Sequence, residues 1–201
     1  MTVESSITFF VAMSLFVASP GPGVMGCVAV AMRQNIKNSV AFIVGMIAGD
    51  LVYLLFAVFG LTALASNFNF LFQVVRMAGG AYMLFLAYKM WRFVPEQQQI
   101  KMPSRKRGNF FAGLFITLSN PKVIIFYCGF LPNFMNLASL SHIDLLIVSL
   151  LVSFVIVVVM GSYSVIAGKT GGFLSRRSGK VLNRSAGTAL AATGTYMIFK
   201  Q

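Results

Sequence analysis

Hydrophobic residues in this chain occur in long, almost uncharged stretches that short polar connections separate. Each stretch is about as long as the roughly twenty residues that a helix needs to cross a bilayer core of about 30 Å. The pattern predicts an all-α integral membrane protein, with one transmembrane domain over residues 1–201. The six predicted helices lie near residues 7–30, 40–64, 70–90, 110–131, 144–167 and 183–199.

Two of these stretches are interrupted by proline and by small or polar residues. Proline removes a backbone donor and breaks or kinks a helix. A break within the bilayer persists only where protein or a wet cavity satisfies the freed backbone groups. Paired breaks in two halves of a transporter mark its binding site, although each could also be a simple kink. The predicted substrate-binding residues are Ser19, Pro20, Gly21, Pro22, Gly23, Ser119, Asn120 and Pro121.

The two halves of the chain resemble each other. Ser19 and Ser119 are 100 residues apart, and the short motif at Arg76 returns at Arg184. Each half holds three predicted helices, so the second copy must be inverted relative to the first. We therefore predict inverted repeats over about residues 1–92 and 109–201, joined by a cytoplasmic linker over about residues 93–108. Chance similarity between apolar segments remains the alternative.

Composition and charge agree with this class. The chain is 58% hydrophobic and 10% charged, whereas soluble proteins have about 25% charged residues. Its net charge is +12, and thirteen of its sixteen lysines and arginines lie near the first, third and fifth connections. By the positive-inside rule, this alternation predicts that both termini are periplasmic. Membrane lipids, rather than nucleic acid, are the expected partners of these charges.

Asp50 is the acidic residue that lies deep within a predicted span. An ionisable side chain near mid-membrane is costly and by default functional, which favours proton coupling or binding of a substrate amine. A purely structural pair with Lys122 or Arg76 is the alternative. Lys122 could hold a substrate carboxylate or release Asp50 when substrate arrives, or its stem could extend to the interface. Ala41, Gly45 and Gly49 form a stripe that favours close helix packing.

These residues together suit a zwitterion. Amide N–H groups at the positive end of a broken helix can take a carboxylate, and Asp50 can take the amine. Ser19, Ser119 and Asn120 can add hydrogen bonds. Neither a cofactor nor a metal ion is expected.

Several motifs, taken in order, resemble the LysE/RhtB family of bacterial amino-acid exporters. The resemblance implies proton-driven export of amino acids or related small metabolites across the inner membrane. One position departs from the family pattern, because Gly23 stands where the family usually has Asn. The motifs are Ser19-Pro20-Gly21-Pro22, Gly45 with Gly49-Asp50, Gly79-Gly80-Ala81-Tyr82, Asn120-Pro121-Lys122 and Phe130-Leu131-Pro132.

Two other functions fit part of the pattern. Cys27 and Cys128 follow the two breaks, as the cysteine pair of a membrane thiol-disulfide carrier would, although buried cysteine is usually inert. A passive channel for small solutes is the other alternative, and it would not need a midplane acid. The stripe of small residues also permits, but does not require, a homodimer.

Overall fold

The fold is taken from a computed structural model of the chain. The structure describes residues 3–19, 21–61, 69–92, 106–133, 135 and 140–170, together with 184, 185, 187, 188, 191, 192, 195 and 199. Most of the predicted linker and most of the predicted sixth helix, near residues 183–199, therefore lie outside the described residues, as does Pro20 of the first break. Every regular element within the described ranges is helical.

The described part of the first half contains four α-helices. Helices α1 (Val3–Ala18) and α2 (Pro22–Arg33) occupy the first predicted span and are separated by its break. Helix α3 (Ile36–Phe56) continues into a π-helical turn (Ala57–Leu61), and α4 (Asn69–Arg92) follows. The Asn35 side chain caps α3 by accepting a hydrogen bond of 2.8 Å from the backbone N–H of Asn38.

The second half begins with α5 (Lys106–Leu118) and a short α6 (Pro121–Ile125), which are separated by the second break. A π-helical turn (Phe126–Phe130) and a 3₁₀ turn (Leu131–Asn133) follow α6 without interruption. Helix α7 (His142–Thr170) is the longest helix described. The chain thus changes helix type twice within the thirteen residues that follow the second break.

Two helical segments, Ile36–Gly60 and His142–Lys169, are long and apolar enough to cross a membrane. Two bent pairs also qualify if each pair is one span: α1 with α2, bent by 60°, and α5 with residues 121–129, bent by 53°. The described residues therefore supply two to four candidate spans. This agrees with an all-helical membrane protein, and the arrangement of six helices in inverted repeats stays a prediction.

Helices α3 and α5 pack closely because glycine faces backbone at their contact. A Cβ at Gly45 would collide with the carbonyl group of Phe110, and one at Gly113 would collide with that of Phe42. A Cβ at Gly49 would lie 2.8 Å from the Thr117 side chain. Each of these positions therefore has no room for a side chain. The predicted role of the small-residue stripe in close packing is confirmed at Gly45 and Gly49.

Helix α7 has one face in the core and one apolar face on the outside. Val148, Val152 and Ile156 are buried in the cluster that α1, α2 and α3 also form. Leu150 and Phe154, on the other face, are about 60% exposed. A helix that is apolar on its exposed face as well is typical of a membrane span. The outward face of α7 is thus suited to lipid.

Candidate functional site

The first break ends α1 and starts α2 with uncapped amide groups. Proline is favourable at the first position of a helix, where no backbone donor is needed, and Pro22 occupies it in α2. Gly21 is the N-cap residue, with extended backbone and no side chain to accept a hydrogen bond. The first backbone bond of α2 runs from Met25 N–H to the Gly21 carbonyl at 2.9 Å. The N–H groups of Gly23 and Val24 therefore precede the hydrogen-bonded part of the helix.

The second break is capped by its own side chain. Asn120 is the N-cap residue of α6, and its Oδ1 accepts a hydrogen bond of 3.1 Å from the backbone N–H of Lys122. Backbone bonds from Ser119 to Phe115 and from Asn120 to Thr117 complete the end of α5. The two breaks are therefore not equivalent. The first leaves the backbone N–H groups at the start of α2 without a side-chain acceptor, whereas at the second the Asn120 side chain accepts one such N–H group of α6.

A cleft lies between the two breaks and α3. It contains about 370 Å³ of unfilled space, its mouth included. Six predicted residues line it, namely Ser19, Gly21, Gly23, Asp50, Asn120 and Lys122. Three other predicted residues do not contribute to it in the structure: Pro22, Ser119 and Pro121 are exposed outside it.

Lys122 crosses the cleft and binds the end of α1. Its Nζ donates hydrogen bonds to the carbonyl oxygens of Phe16, at 2.7 Å, and Ser19, at 3.2 Å. It also donates to the hydroxyl of Ser19 and lies 4.5 Å from the centroid of the Phe16 ring. A cation at the C-terminus of a helix interacts favourably with its dipole and free carbonyls. Lys122 thereby connects the second break to the first.

Asp50 lies on α3 and is only 4% exposed. Its carboxylate and the Lys122 ammonium attract each other, but the hydrogen bonds of Nζ go to α1. The Tyr127 ring is fully buried, and its hydroxyl has no hydrogen-bond partner among the described residues. A buried acid and a base therefore face one cleft without a direct bond between them among the described residues.

Apolar side chains complete the cleft, and the sequence did not single them out. Phe16 and Val17 come from α1, Met46 from α3, and Ile156 and Met160 from α7. In the sequence they are ordinary members of apolar stretches, because hydropathy does not distinguish a cavity wall from core or lipid-facing surface. Tyr127 was missed as well, although a hydroxyl in the middle of a predicted span was an available signal.

The cysteines have separate surroundings. Cys27 is fully buried, and its Sγ lies 3.1 Å from the hydroxyl of Ser164 on α7. Cys128 is partly exposed, and both thiols are free. Within the described ranges, no three His, Cys, Asp or Glu side chains converge as a metal site requires. The cleft itself is lined by the carboxyl group of Asp50, the amine of Lys122 and residues of both breaks.

Comparison with known proteins gives one consistent result. The family model for LysE type translocators matches residues 14–201. An uncharacterised membrane protein of Synechocystis sp. is 25% identical over 96% of this chain and 94% of its own. A homoserine/homoserine lactone efflux protein of Salmonella typhimurium is 25% identical over 98% of this chain and 97% of its own.

A leucine efflux protein of Enterobacter sp. is 27% identical over 66% of this chain and 64% of its own. No solved structure matches the chain significantly. Because the family model covers nearly the whole chain, the match includes both breaks, Asp50 and the cleft. The chain therefore belongs to the LysE family of translocators, which are membrane transporters and not enzymes.

Proposed function

We propose that this protein is a secondary exporter of amino acids or related small metabolites in the bacterial inner membrane, coupled to protons and working by alternating access. The proposal draws its substrate class from relatives that are named as efflux proteins for homoserine and for leucine. Export, rather than uptake, is likewise taken from those names. The cleft supports the proposal independently, because its groups match an amino acid.

The observation that carries the proposal is the arrangement of charge around the cleft. The Asp50 carboxylate can bind a substrate amine, while Lys122 can bind a substrate carboxylate. The uncapped amide groups of Gly23 and Val24 supply further donors for that carboxylate at the positive end of α2. Apolar residues from α1, α3 and α7 line the cleft and would face a substrate side chain. A zwitterion would thus find a partner for each of its charges.

Lys122 also offers a way to couple binding to movement. Without substrate, its ammonium group holds the end of α1 through the carbonyl groups of Phe16 and Ser19. A substrate carboxylate competes for the same ammonium group and would release α1 from α6. A ligand shifts a conformational equilibrium only through such a difference in contacts between two states. Exchange of a proton for the substrate amine at Asp50 would then drive export.

The topology that we propose places both termini in the periplasm and residues 93–108 in the cytoplasm. Six spans in two inverted repeats follow from the alternation of basic connections and from a break in each half. The arrangement brings the two breaks to mid-membrane, which is where inverted-repeat transporters bind substrate.

The test is transport by the purified protein in lipid vesicles. Labelled homoserine and leucine are supplied separately, with and without an imposed pH gradient. We expect accumulation of at least one of them that depends on the gradient. Asp50→Asn should insert normally but should lose accumulation.

Three outcomes would contradict the proposal. Equal rates with and without a gradient would indicate a passive channel. Accumulation by Asp50→Asn would remove Asp50 from coupling. Failure to move any amino acid in a wider screen would exclude the substrate class. A Cys27→Ser, Cys128→Ser double variant is the control, and it should transport like the parent protein.

A further inference from the structure

The end of α1 has backbone carbonyl groups that the helix itself cannot pair. In an unbroken helix, each carbonyl accepts a hydrogen bond from the N–H group four residues later. The residues four positions after Phe16 and Ala18 are Pro20 and Pro22, and proline has no backbone N–H group. The sequence of the break therefore leaves the carbonyl oxygens of Phe16 and Ala18 to be satisfied by other donors.

Side chains from two other helices supply these donors. The Tyr163 hydroxyl on α7 donates a hydrogen bond of 2.7 Å to the Ala18 carbonyl. The Lys122 ammonium group on α6 donates one of 2.7 Å to the Phe16 carbonyl. The end of α1 is thus held by one neutral donor and by one cationic donor.

The oxygens around the Lys122 ammonium group match its donors in number. A primary ammonium group has three N–H donors and no acceptor. Its three acceptors here are the carbonyl oxygen of Phe16, the carbonyl oxygen of Ser19 and the hydroxyl oxygen of Ser19. The Ser19 hydroxyl gives its own proton to the Phe16 carbonyl at 2.6 Å, so its oxygen is left to accept. We call these three oxygens the ammonium site.

The ammonium site is buried, has an aromatic wall and borders the cleft. Ser19 is fully buried and Phe16 is 6% exposed. The centroid of the Phe16 ring lies 4.5 Å from Lys122 Nζ, within the range of a cation–π interaction. Phe126 stacks on this ring at 4.1 Å and supports it. Because Phe16, Ser19 and Asp50 line the same cleft, a cation in the cleft can reach the site.

We propose that the ammonium site binds the primary ammonium group of the substrate, and that Lys122 occupies the site only until substrate arrives. This inference rests on the function proposed above and refines it. The oxygens at the end of α1 accept the hydrogen bonds of the substrate amine, and Asp50 supplies the opposite charge in the same cleft.

The exchange of one ammonium group for another has a physical reason. If Lys122 left to bind a substrate carboxylate and nothing replaced it, buried oxygens would lose their donors, which is costly. The amine of the same substrate restores those hydrogen bonds. A carboxylate without an amine would leave the site empty, and an amine without a carboxylate would not draw Lys122 away. The site therefore selects zwitterions with a free primary amine.

The first test empties the site and offers it a free ammonium ion. Lys122→Ala removes the side chain that fills the site and keeps its oxygens. Ethylammonium chloride is titrated into the purified variant in detergent, and thermal unfolding is followed by circular dichroism. We expect the unfolding temperature to rise by roughly 3–6 °C at a tenfold excess over the dissociation constant. Sodium and tetramethylammonium chloride should raise it less, because neither cation has an N–H group.

Two matched proteins control for general effects of the salts. The parent protein should not respond to ethylammonium, because Lys122 already fills the site. Lys169→Ala removes an exposed lysine and should behave like the parent protein. If Lys122→Ala does not stay folded in sodium chloride, the fraction recovered as monodisperse protein is compared after purification in ethylammonium chloride and in sodium chloride. A higher fraction in ethylammonium chloride is then the expected result.

The second test asks whether a transported amino acid uses the site. In vesicles, an amino acid that the protein transports is compared with its N-methyl derivative, which keeps the positive charge and loses one N–H donor. We expect the parent protein to prefer the unmethylated compound by about tenfold, as the loss of one hydrogen bond to a charged group implies. Ser19→Ala removes one acceptor and should reduce this preference. Ser162→Ala removes an exposed hydroxyl of α7 and should keep it.

The proposal is overturned if ethylammonium neither stabilises Lys122→Ala nor raises its recovery, or if sodium does so equally. It is also overturned if Ser19→Ala keeps the full preference for the unmethylated amino acid, since Lys122 would then be a permanent cap of α1. Stabilisation by ethylammonium in a protein that transports no amino acid would reject the proposed function alone. Gradient-driven transport by a protein whose Lys122→Ala variant does not respond to ethylammonium would reject only the ammonium site.

Discussion

Removing both members of the Asp50 and Lys122 pair should cost less free energy of unfolding than the two single removals added together. Lys122→Met takes away the cation that binds the Phe16 and Ser19 carbonyl groups and leaves Asp50 uncompensated. Leaving a buried charge uncompensated in this way costs about 3–5 kcal/mol. At about 2–4 °C per kcal/mol for a chain of this size, the unfolding temperature should fall by roughly 10 °C.

The double variant Asp50→Asn, Lys122→Met leaves no unpaired charge in the cleft. The free energy of unfolding that it loses should therefore be smaller than the sum of the losses in the two single variants, by about 2–3 kcal/mol of coupling energy. Thermal unfolding in detergent, followed by circular dichroism, measures all four proteins of the cycle. Lys169→Met is the matched control, because Lys169 is exposed near the end of α7. This substitution should lower the free energy of unfolding by less than about 0.5 kcal/mol. Additive losses would refute an interaction between Asp50 and Lys122.

Two further predictions concern glycines. Gly45→Ala should lower the unfolding temperature by several degrees, because its Cβ would collide with the Phe110 backbone. Gly161 has open space around it, so Gly161→Ala is the control and should be neutral or stabilising. Equal effects of the two substitutions on the unfolding temperature would contradict close packing of α3 on α5. Gly23→Ala should weaken transport of leucine more than that of alanine, since its Cβ would lie 2.7 Å from Met46 Cε and push that flexible side chain into the cleft. Met46→Ala in the same protein should restore leucine transport, and no rescue would place the effect elsewhere.

The sequence predicted the helices and the breaks better than it predicted the roles of the residues at the breaks. Runs of apolar residues and proline positions are local signals, and both breaks occur where they were predicted. Ser119 and Pro121, however, are exposed outside the cleft. The matching positions in the first half gave no indication of this, since Ser19 is fully buried at the cleft.

The capping of the two breaks also could not be derived from the motifs alone. Asn120 can bind either substrate or its own helix, and the structure shows that its side chain accepts a hydrogen bond from Lys122 N–H. The interaction of Lys122 with α1 joins residues that are about one hundred positions apart. Such contacts depend on how the helices pack, so hydropathy cannot reveal them.

The central claim is that the two breaks face each other across one cleft, and chemical cross-linking tests it most directly. In a Cys27→Ser, Cys128→Ser background, Gly21→Cys is combined with Lys122→Cys, because a Cβ at Gly21 would lie 4.0 Å from Lys122 Cδ. A bifunctional thiol reagent with a spacer of a few ångströms is applied to the protein in membranes, and Phe154→Cys with Lys122→Cys is the control pair. The account predicts an efficient cross-link between positions 21 and 122 and none between 154 and 122. Absence of the first cross-link, or equal yields for both pairs, would contradict it.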